Sequence, residues 1–242
     1  ESCKNLRLMI CREQGLGDEI LFSSLIGDIA PYFKDVVIET TEKLVPLFSN
    51  SFKNLTVRPI ALDGENAGMQ TEFDYDCYCW MGDLPNLVGF YKWETARPPY
   101  LHADKSLTDS WKSKLRPLAG SRKIIALTWR SIKMDMNRAI HYTELHHWIP
   151  LINDPRYLVV SLQYDDITED LSSIPEEVRQ KLYIPEIDLL DDLDNVAAIL
   201  ECADLVISPF NATLAQGAMQ GKRTLSYQLV GDTMALGYGD HK

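Results

Sequence analysis

The segment Glu13-Gln14-Gly15-Leu16-Gly17-Asp18 comes directly after a short apolar run, Leu6 to Cys11. Two glycines at such a junction permit a tight turn and let a ligand approach the backbone closely. A helix starting there aims its free N–H groups at the same space, which makes Gly15 and Gly17 candidate contacts for a phosphate. Asp18 can cap that helix, or it can reach into a cleft as a carboxylate able to accept a proton. The third glycine of the dinucleotide fingerprint G-x-G-x-x-G is absent.

Three further segments stand where apolar runs end. Trp129, Arg130 and Ser131 come after Lys123 to Thr128, with Lys133 and Arg138 a few positions on. Arginine offers a fixed fork of donors to phosphate, so these three cations form a local basic patch in an acidic chain; the plain alternative is an exposed loop with ordinary charges. In Ser161-Leu162-Gln163-Tyr164, Gln163 could read a nucleobase edge and Tyr164 could stack on it, although periodicity alone gives them only a loop. Ser208, Asn211, Ala212 and Thr213 stand between a buried strand and a helix. They are either a diphosphate seat at the helix N-terminus or a simple polar N-cap.

Other patterns carry less. Asp74-Tyr75-Asp76 and Asp192-Leu193-Asp194 fit a D-x-D metal-holding form, but such triplets arise by chance in a chain with 35 acidic residues. His146 and His147 are adjacent and cannot share a helix face. We expect no metal. Neither a G-x-S-x-G elbow nor a G-x-x-x-x-G-K-[ST] loop occurs.

The elements that must position these residues alternate. Strands are expected at Leu6–Cys11, Val36–Glu39, Leu55–Ile60 and Phe73–Trp80. Helices are expected from Asp18 to Ile29 and from Glu42 to Phe48, with Asp63–Thr71 a polar loop. Glu94–Ala103, with Pro98 and Pro99, reads as a linker, and Ser106–Leu118 as a helix. A second alternation comes next, with strands at Lys123–Thr128, Tyr157–Leu162, Asp204–Ser208 and Arg223–Tyr227. Its helices are expected at Tyr142–Ile152, Glu176–Leu182, Leu193–Cys202 and Ala212–Gln220. Strands alternating with helices favour parallel sheets covered on both faces. The fold class is therefore α/β, as two Rossmann-like domains facing a cleft, divided as 1–104 and 105–242. Ligands in such sheets sit beyond the carboxyl ends of the strands.

Composition bounds the function. The 242 residues carry 24 basic and 35 acidic side chains, a formal charge of -11, which argues against nucleic acid as the main partner. The five cysteines are an odd number in a chain too long to need a disulfide framework. Free thiols in a reducing cytoplasm are expected. There is no apolar run of membrane-spanning length and no secretory leader pattern. The chain opens on Glu1 rather than Met, so either a trimmed chain or a piece of a longer one is expected.

The four segments, in this order, resemble the glycosyltransferase family of the bacterial heptosyltransferases, and most of all its branch found behind tetratricopeptide repeats. The matching motifs are E-Q-G-L-G-D-E at Glu13–Glu19, W-R-S at Trp129–Ser131, S-L-Q-Y at Ser161–Tyr164, and D-L-V-I-S-P with its adjoining helix at Asp204–Gly221. The resemblance implies a GT-B fold, an N-terminal acceptor domain, a C-terminal donor domain, and inverting, metal-independent transfer from a nucleotide-sugar co-substrate to a glycan or protein acceptor. It implies no other cofactor. It also implies Asp18 as general base, with Arg130, Lys133 and the helix near Ala212 stabilising the departing diphosphate; Glu19 would support Asp18 or be idle.

The chain also departs from that pattern. The family's D-T-S and subsequent histidine are replaced by Phe210, Asn211, Ala212 and Ala215, and a final helix crossing back to the first domain is expected beyond Lys242. These departures leave a second expectation open, a non-catalytic nucleotide-sugar or glycan-binding module of a larger repeat protein. A third is an interaction domain within such a protein.

Overall fold

The protein is described by a computed structural model covering residues 3–13, 15–60, 74–89, 98–132 and 139–227. Two separate sheets are formed, and every strand pair in them is parallel. The first holds β1 (Arg7–Cys11), β2 (Asp35–Thr40), β3 (Thr56–Pro59) and β4 (Cys77–Trp80), in the order β3-β2-β1-β4. The second holds β5 (Lys123–Leu127), β6 (Tyr157–Ser161), β7 (Leu182–Tyr183), β8 (Leu205–Pro209) and β9 (Thr224–Tyr227), in the order β7-β6-β5-β8-β9. The central strands read as continuous apolar runs because helices and loops cover both their faces. In each sheet the order turns back at the first strand, between β1 and β4 and between β5 and β8. Those are the switch points at which parallel sheets open a crevice.

Five helices carry or flank the candidate residues: α1 (Leu16–Phe22), α2 (Val45–Ser51), α3 (Lys105–Ala119), α4 (Leu193–Cys202) and α5 (Ala212–Met219). Asp104, Asp192 and Asn211 cap α3, α4 and α5, each side chain accepting from an N–H in the first turn. The apolar core under the first sheet is not confined to it. Leu193 and Ala197 of α4 and Ala215 of α5 are buried in one cluster with Leu8, Ile10, Ile20, Leu25 and Ile38. Pro98–Asp104 runs across this junction, where Tyr100 and Leu101 donate their N–H groups to Met219 O. The buried Tyr100 hydroxyl donates to Ile20 O and lies 2.9 Å from Ser23 Oγ.

Several elements differ from the expectations. The helix after β1 starts at Leu16 with Gly15 as its N-cap, so Asp18 is its third residue and not the cap. It does not run unbroken to Ile29. Ser23 and Ser24 turn their hydroxyls back onto Ile20 O and Leu21 O, and a 3-10 turn at Ser23–Leu25 separates α1 from a short helix at Ile26–Ile29. Residues 142–144 are outside any helix; a 3-10 turn at Leu145–Trp148 precedes a short helix at Ile149–Asn153, because Pro150 has no N–H to donate and belongs in a first turn. The helix at Glu176 stops at Arg179, and Leu182, expected within it, belongs to β7. Thr168–Ser172 forms a short helix that periodicity does not reveal. The loop at Asp63–Thr71 and residues 94–97 of the linker lie outside the described residues.

Candidate functional site

The four segments singled out in the sequence all succeed strands, and three of them lie at the two switch points. Gly15, Gly17 and Asp18 come after β1; Trp129, Arg130 and Ser131 come after β5; Ser208 lies near the end of β8, with Asn211, Ala212 and Thr213 opening α5. The two helix N-termini meet. A Cβ built at Gly17 would lie 3.8 Å from both N and Cα of Ala212, so the first turn of α1 rests against the first turn of α5. First-turn N–H groups have no partner within their own helix, and two such turns side by side concentrate donors on one spot. Asp18 is exposed in this first turn, and its carboxylate folds back over Gly15, with Oδ2 2.4 Å from where a Cβ would stand.

The loop carrying Asp18 is held on both sides. Glu13 Oε1 accepts the Gly82 N–H at 2.8 Å. Glu19 is fully buried; its Oε2 accepts from Thr40 Oγ1 at 2.5 Å and from the Thr41 N–H at 3.3 Å. Arg12 Nε stands 3.1 Å from Glu19 Oε1, close enough for an ion pair, while its hydrogen points at Glu13 O. Burial pushes the Glu19 carboxyl above the usual carboxylate range, against the pull of Thr40 and Arg12.

At the second switch point a polar network joins the strand ends. Thr128 Oγ1 and the buried Ser208 Oγ are 2.5 Å apart, and Ser208 Oγ donates to Asn211 Oδ1 at 2.9 Å. Asn211 Nδ2 reaches Thr128 Oγ1 at 3.2 Å while Oδ1 caps Leu214 N. Thr213 is buried in the first turn. The Tyr164 hydroxyl donates to Ser131 Oγ at 3.1 Å, and burial raises its pKa.

Three candidates are placed differently from a free ligand-binding group. Trp129 buries its ring completely and donates Nε1 to Asp170 Oδ1. Gln163 Oε1 accepts the N–H groups of Trp129 and Arg130, and its Nε2 donates to Arg130 O and Asp165 Oδ1. The amide therefore acts as a bracket on the β5 loop. Arg130 donates Nε to Asp165 Oδ2 at 2.7 Å, forks onto Asp170 at 2.7 Å, and reaches Asp166 O at 3.0 Å. The hydrogen bond donated to Asp170 leads in holding this guanidinium protonated more firmly than usual. A cavity of about 520 Å³ opens beside it, lined by Tyr142, Thr143, Glu144, Asp166, Glu169 and Asp170. Lys133 and Arg138 lie outside the described residues. The acidic triplets have local roles: Asp192 caps α4, Asp74 pairs with Arg58, and Asp76 with Arg7.

Thr40, Gly82, Asp165 and Asp170 are the residues that motif reading passed over, and Glu19, supporting or idle by the resemblance, is bound to Thr40 and Thr41. Only Glu19 carried a local signal, a charged residue in an otherwise apolar helix face.

No family model matches the chain. It is 35% identical over 230 residues to Protein FlbA of Caulobacter vibrioides, a match covering 88% of this chain and 38% of FlbA. The chain thus spans less than half the length of that relative. Among solved structures, it resembles a glycosyl transferase of family 9 from Veillonella parvula with a TM-score of 0.70, at 11% identity over 99% of this chain and 86% of that one. ADP-heptose LPS heptosyltransferase II of E. coli gives a TM-score of 0.64 at 12% identity, covering 91% and 84%. E. coli heptosyltransferase WaaC, solved with ADP, gives 0.57 at 13% identity, covering 91% and 86%. At these identities the likeness is one of fold: the chain has the mixed α/β fold of the heptosyltransferase structures. Among the described residues, no helix is long and apolar enough to cross a membrane.

Proposed function

We propose that this chain transfers a sugar from a nucleotide-sugar donor to a hydroxyl of a glycan or protein acceptor, by inversion and without a metal. One observation carries the reading. The first turn of α1, bearing Asp18, abuts the first turn of α5 at Gly17 and Ala212, with both turns at the switch points of their sheets. Asp18 takes the acceptor proton while the hydroxyl oxygen bonds to the anomeric carbon; the bond from that carbon to the diphosphate breaks, and its electron pair leaves on the phosphate oxygen. Negative charge grows on the diphosphate, and on this reading the N–H groups of Ala212 and Thr213 stabilise it. Ser131 and Ser208 shape this seat, and Lys133 and Arg138 are assigned to the same anion.

On this reading the chain divides into an acceptor half, 1–104, and a donor half, 105–242, and works in the cytoplasm. It belongs with the branch fused to helical repeats, a fusion for which the longer relative FlbA leaves room. The fold likeness supports sugar transfer, and the donor named for the E. coli enzyme, ADP-heptose, makes an adenine nucleotide the first candidate.

The test is a thermal-shift titration against UDP, GDP, ADP and CMP and the matching nucleotide-sugars. A ligand that binds only the folded state raises the midpoint once its concentration passes its Kd. One nucleotide family is expected to shift it, and Asp18→Ala should keep that shift while losing transfer. Normal transfer by Asp18→Ala would remove the base. A second reading, a nucleotide-sugar or glycan-binding module without catalysis, is favoured by Phe210, a large ring 39% exposed beside the Asn211 cap; a shift without transfer would support the nucleotide-sugar module, and silence across the panel the glycan-binding one.

A further inference from the structure

We propose that Glu13 and Glu19 are positioning residues, a two-point clamp that fixes the turn between them against the strands on either side of β1; the inference rests on the reading of Asp18 as the base. Sheet order makes such a clamp possible. β1 lies between β2 and β4, so the loop leaving its carboxyl end has one neighbour on each side. Glu13 stands in that loop, and Glu19 is the fourth residue of α1, which succeeds it. Each sends its carboxylate to a different neighbour: Glu13 to Gly82, just past β4, and Glu19 to Thr40 and Thr41, at the end of β2.

The turn at Gly82 closes through Trp80 and Asp83 without Glu13. Glu19 is fully buried with its carboxyl proton affinity raised, an arrangement that apolar packing would achieve at lower cost. What the two carboxylates share is the turn they enclose, which also rests on Ala212 through Gly17 and on the apolar core through Leu16. Gly15 caps α1 without a side chain, and the Glu19 N–H to Gly15 O bond closes the turn. A glycine-rich turn costs more entropy to order than any other. Pinning it at both ends offsets that cost and leaves Asp18 at a fixed place over Gly15.

The experiment is residue-level amide hydrogen exchange on the whole 242-residue chain, for Glu13→Ala, Glu13→Gln, Glu19→Ala, Glu19→Gln and Thr40→Val. Losing one hydrogen bond should speed exchange about fivefold to tenfold. Glu13→Ala should do this at Gly82 and Glu19→Ala at Thr41, while Thr40→Val removes the other bond to Glu19 and should be read at residue 19. Either alanine should also speed exchange at residue 19, whose amide bonds Gly15 O and touches neither carboxylate. Glutamine still offers an oxygen, so Glu13→Gln and Glu19→Gln should recover most of the protection. Ile10 and Ile38 in the sheet should be unchanged. Should Glu19→Ala unfold the chain, Thr40→Val gives the readout at residue 19 with the charge retained. Full protection at residue 19 in both Glu13→Ala and Thr40→Val would overturn the clamp.

Release of nucleoside diphosphate from ADP-, UDP- and GDP-linked sugars is measured in parallel. The clamp predicts a lower kcat in Glu13→Ala at unchanged nucleotide affinity. If Asp18→Asn releases nucleotide as fast as the native chain, the base reading fails, while the exchange data still judge the clamp.

Discussion

Gly15 and Asp18 compete for one space: a Cβ on residue 15 would lie 2.4 Å from Asp18 Oδ2 and 3.3 Å from its Cγ. The obstructing atoms are the far end of a side chain, which can swing away. Gly15→Ala should therefore change stability by no more than about 1 kcal/mol, since the backbone at residue 15 is extended and suits any L-residue. Its effect should fall on the position of the Asp18 carboxylate. We expect an unchanged urea midpoint and a loss of sugar transfer comparable to that of Asp18→Ala; an active Gly15→Ala would show that the carboxylate is not needed where it stands.

Arg130 separates a stability role from a binding role. Its partners Asp165 and Asp170 are 22% and 11% exposed at the side chain, and removing the cation leaves two carboxylates facing each other. Arg130→Ala should destabilise the fold by about 3 kcal/mol. Asp165→Asn with Asp170→Asn in that background should recover part of the loss, as read by urea unfolding. A nucleotide-induced thermal shift that vanishes in Arg130→Ala is interpretable only after this cost is measured.

Gly221 ends the turn after α5 at φ +76°, and a Cβ there would meet Pro99 Cγ at 2.3 Å and Cβ at 3.1 Å. Both the left-handed backbone and the rigid ring oppose a side chain. Gly221→Ala should cost about 2 kcal/mol or more. It should also weaken protection of the Tyr100 and Leu101 amides that bond Met219 O. Exchange at those two amides tells this local strain from general destabilisation.

Glu19 gives the stability a pH dependence whose sign is fixed. Its folded carboxyl holds a proton to higher pH than the ordinary value of 4.5, so folding binds a proton. The associated stabilisation is present in full below pH 4.5 and is lost as pH rises through the folded value. Glu19→Gln cannot titrate. The difference in urea midpoint between the native chain and Glu19→Gln should move against the native chain as pH rises from 4.5 towards neutrality. A difference that stays flat would mean that Arg12 and Thr40 cancel the effect of burial.

The sequence by itself determined the strands and helices that carry the site. Parallel strands buried on both faces are short unbroken apolar runs, as in Lys123–Leu127 and Tyr157–Ser161, and they are legible without a partner. Local chemistry left Asn211 either a cap or part of a phosphate seat, and the structure makes it the cap of α5. Where two local patterns overlap, as in the two-residue edge strand at Leu182–Tyr183, the reading failed. Tertiary structure alone decided which residues stand together. Glu13 meets Gly82 across 69 positions, Arg130 meets Asp170 across 40, and Glu19 meets Thr40 across 21. Those separations are set by strand order. Periodicity records which face of an element is buried, but not which neighbour covers it, and so the sequence showed Arg130 as a free cation where the fold has paired it.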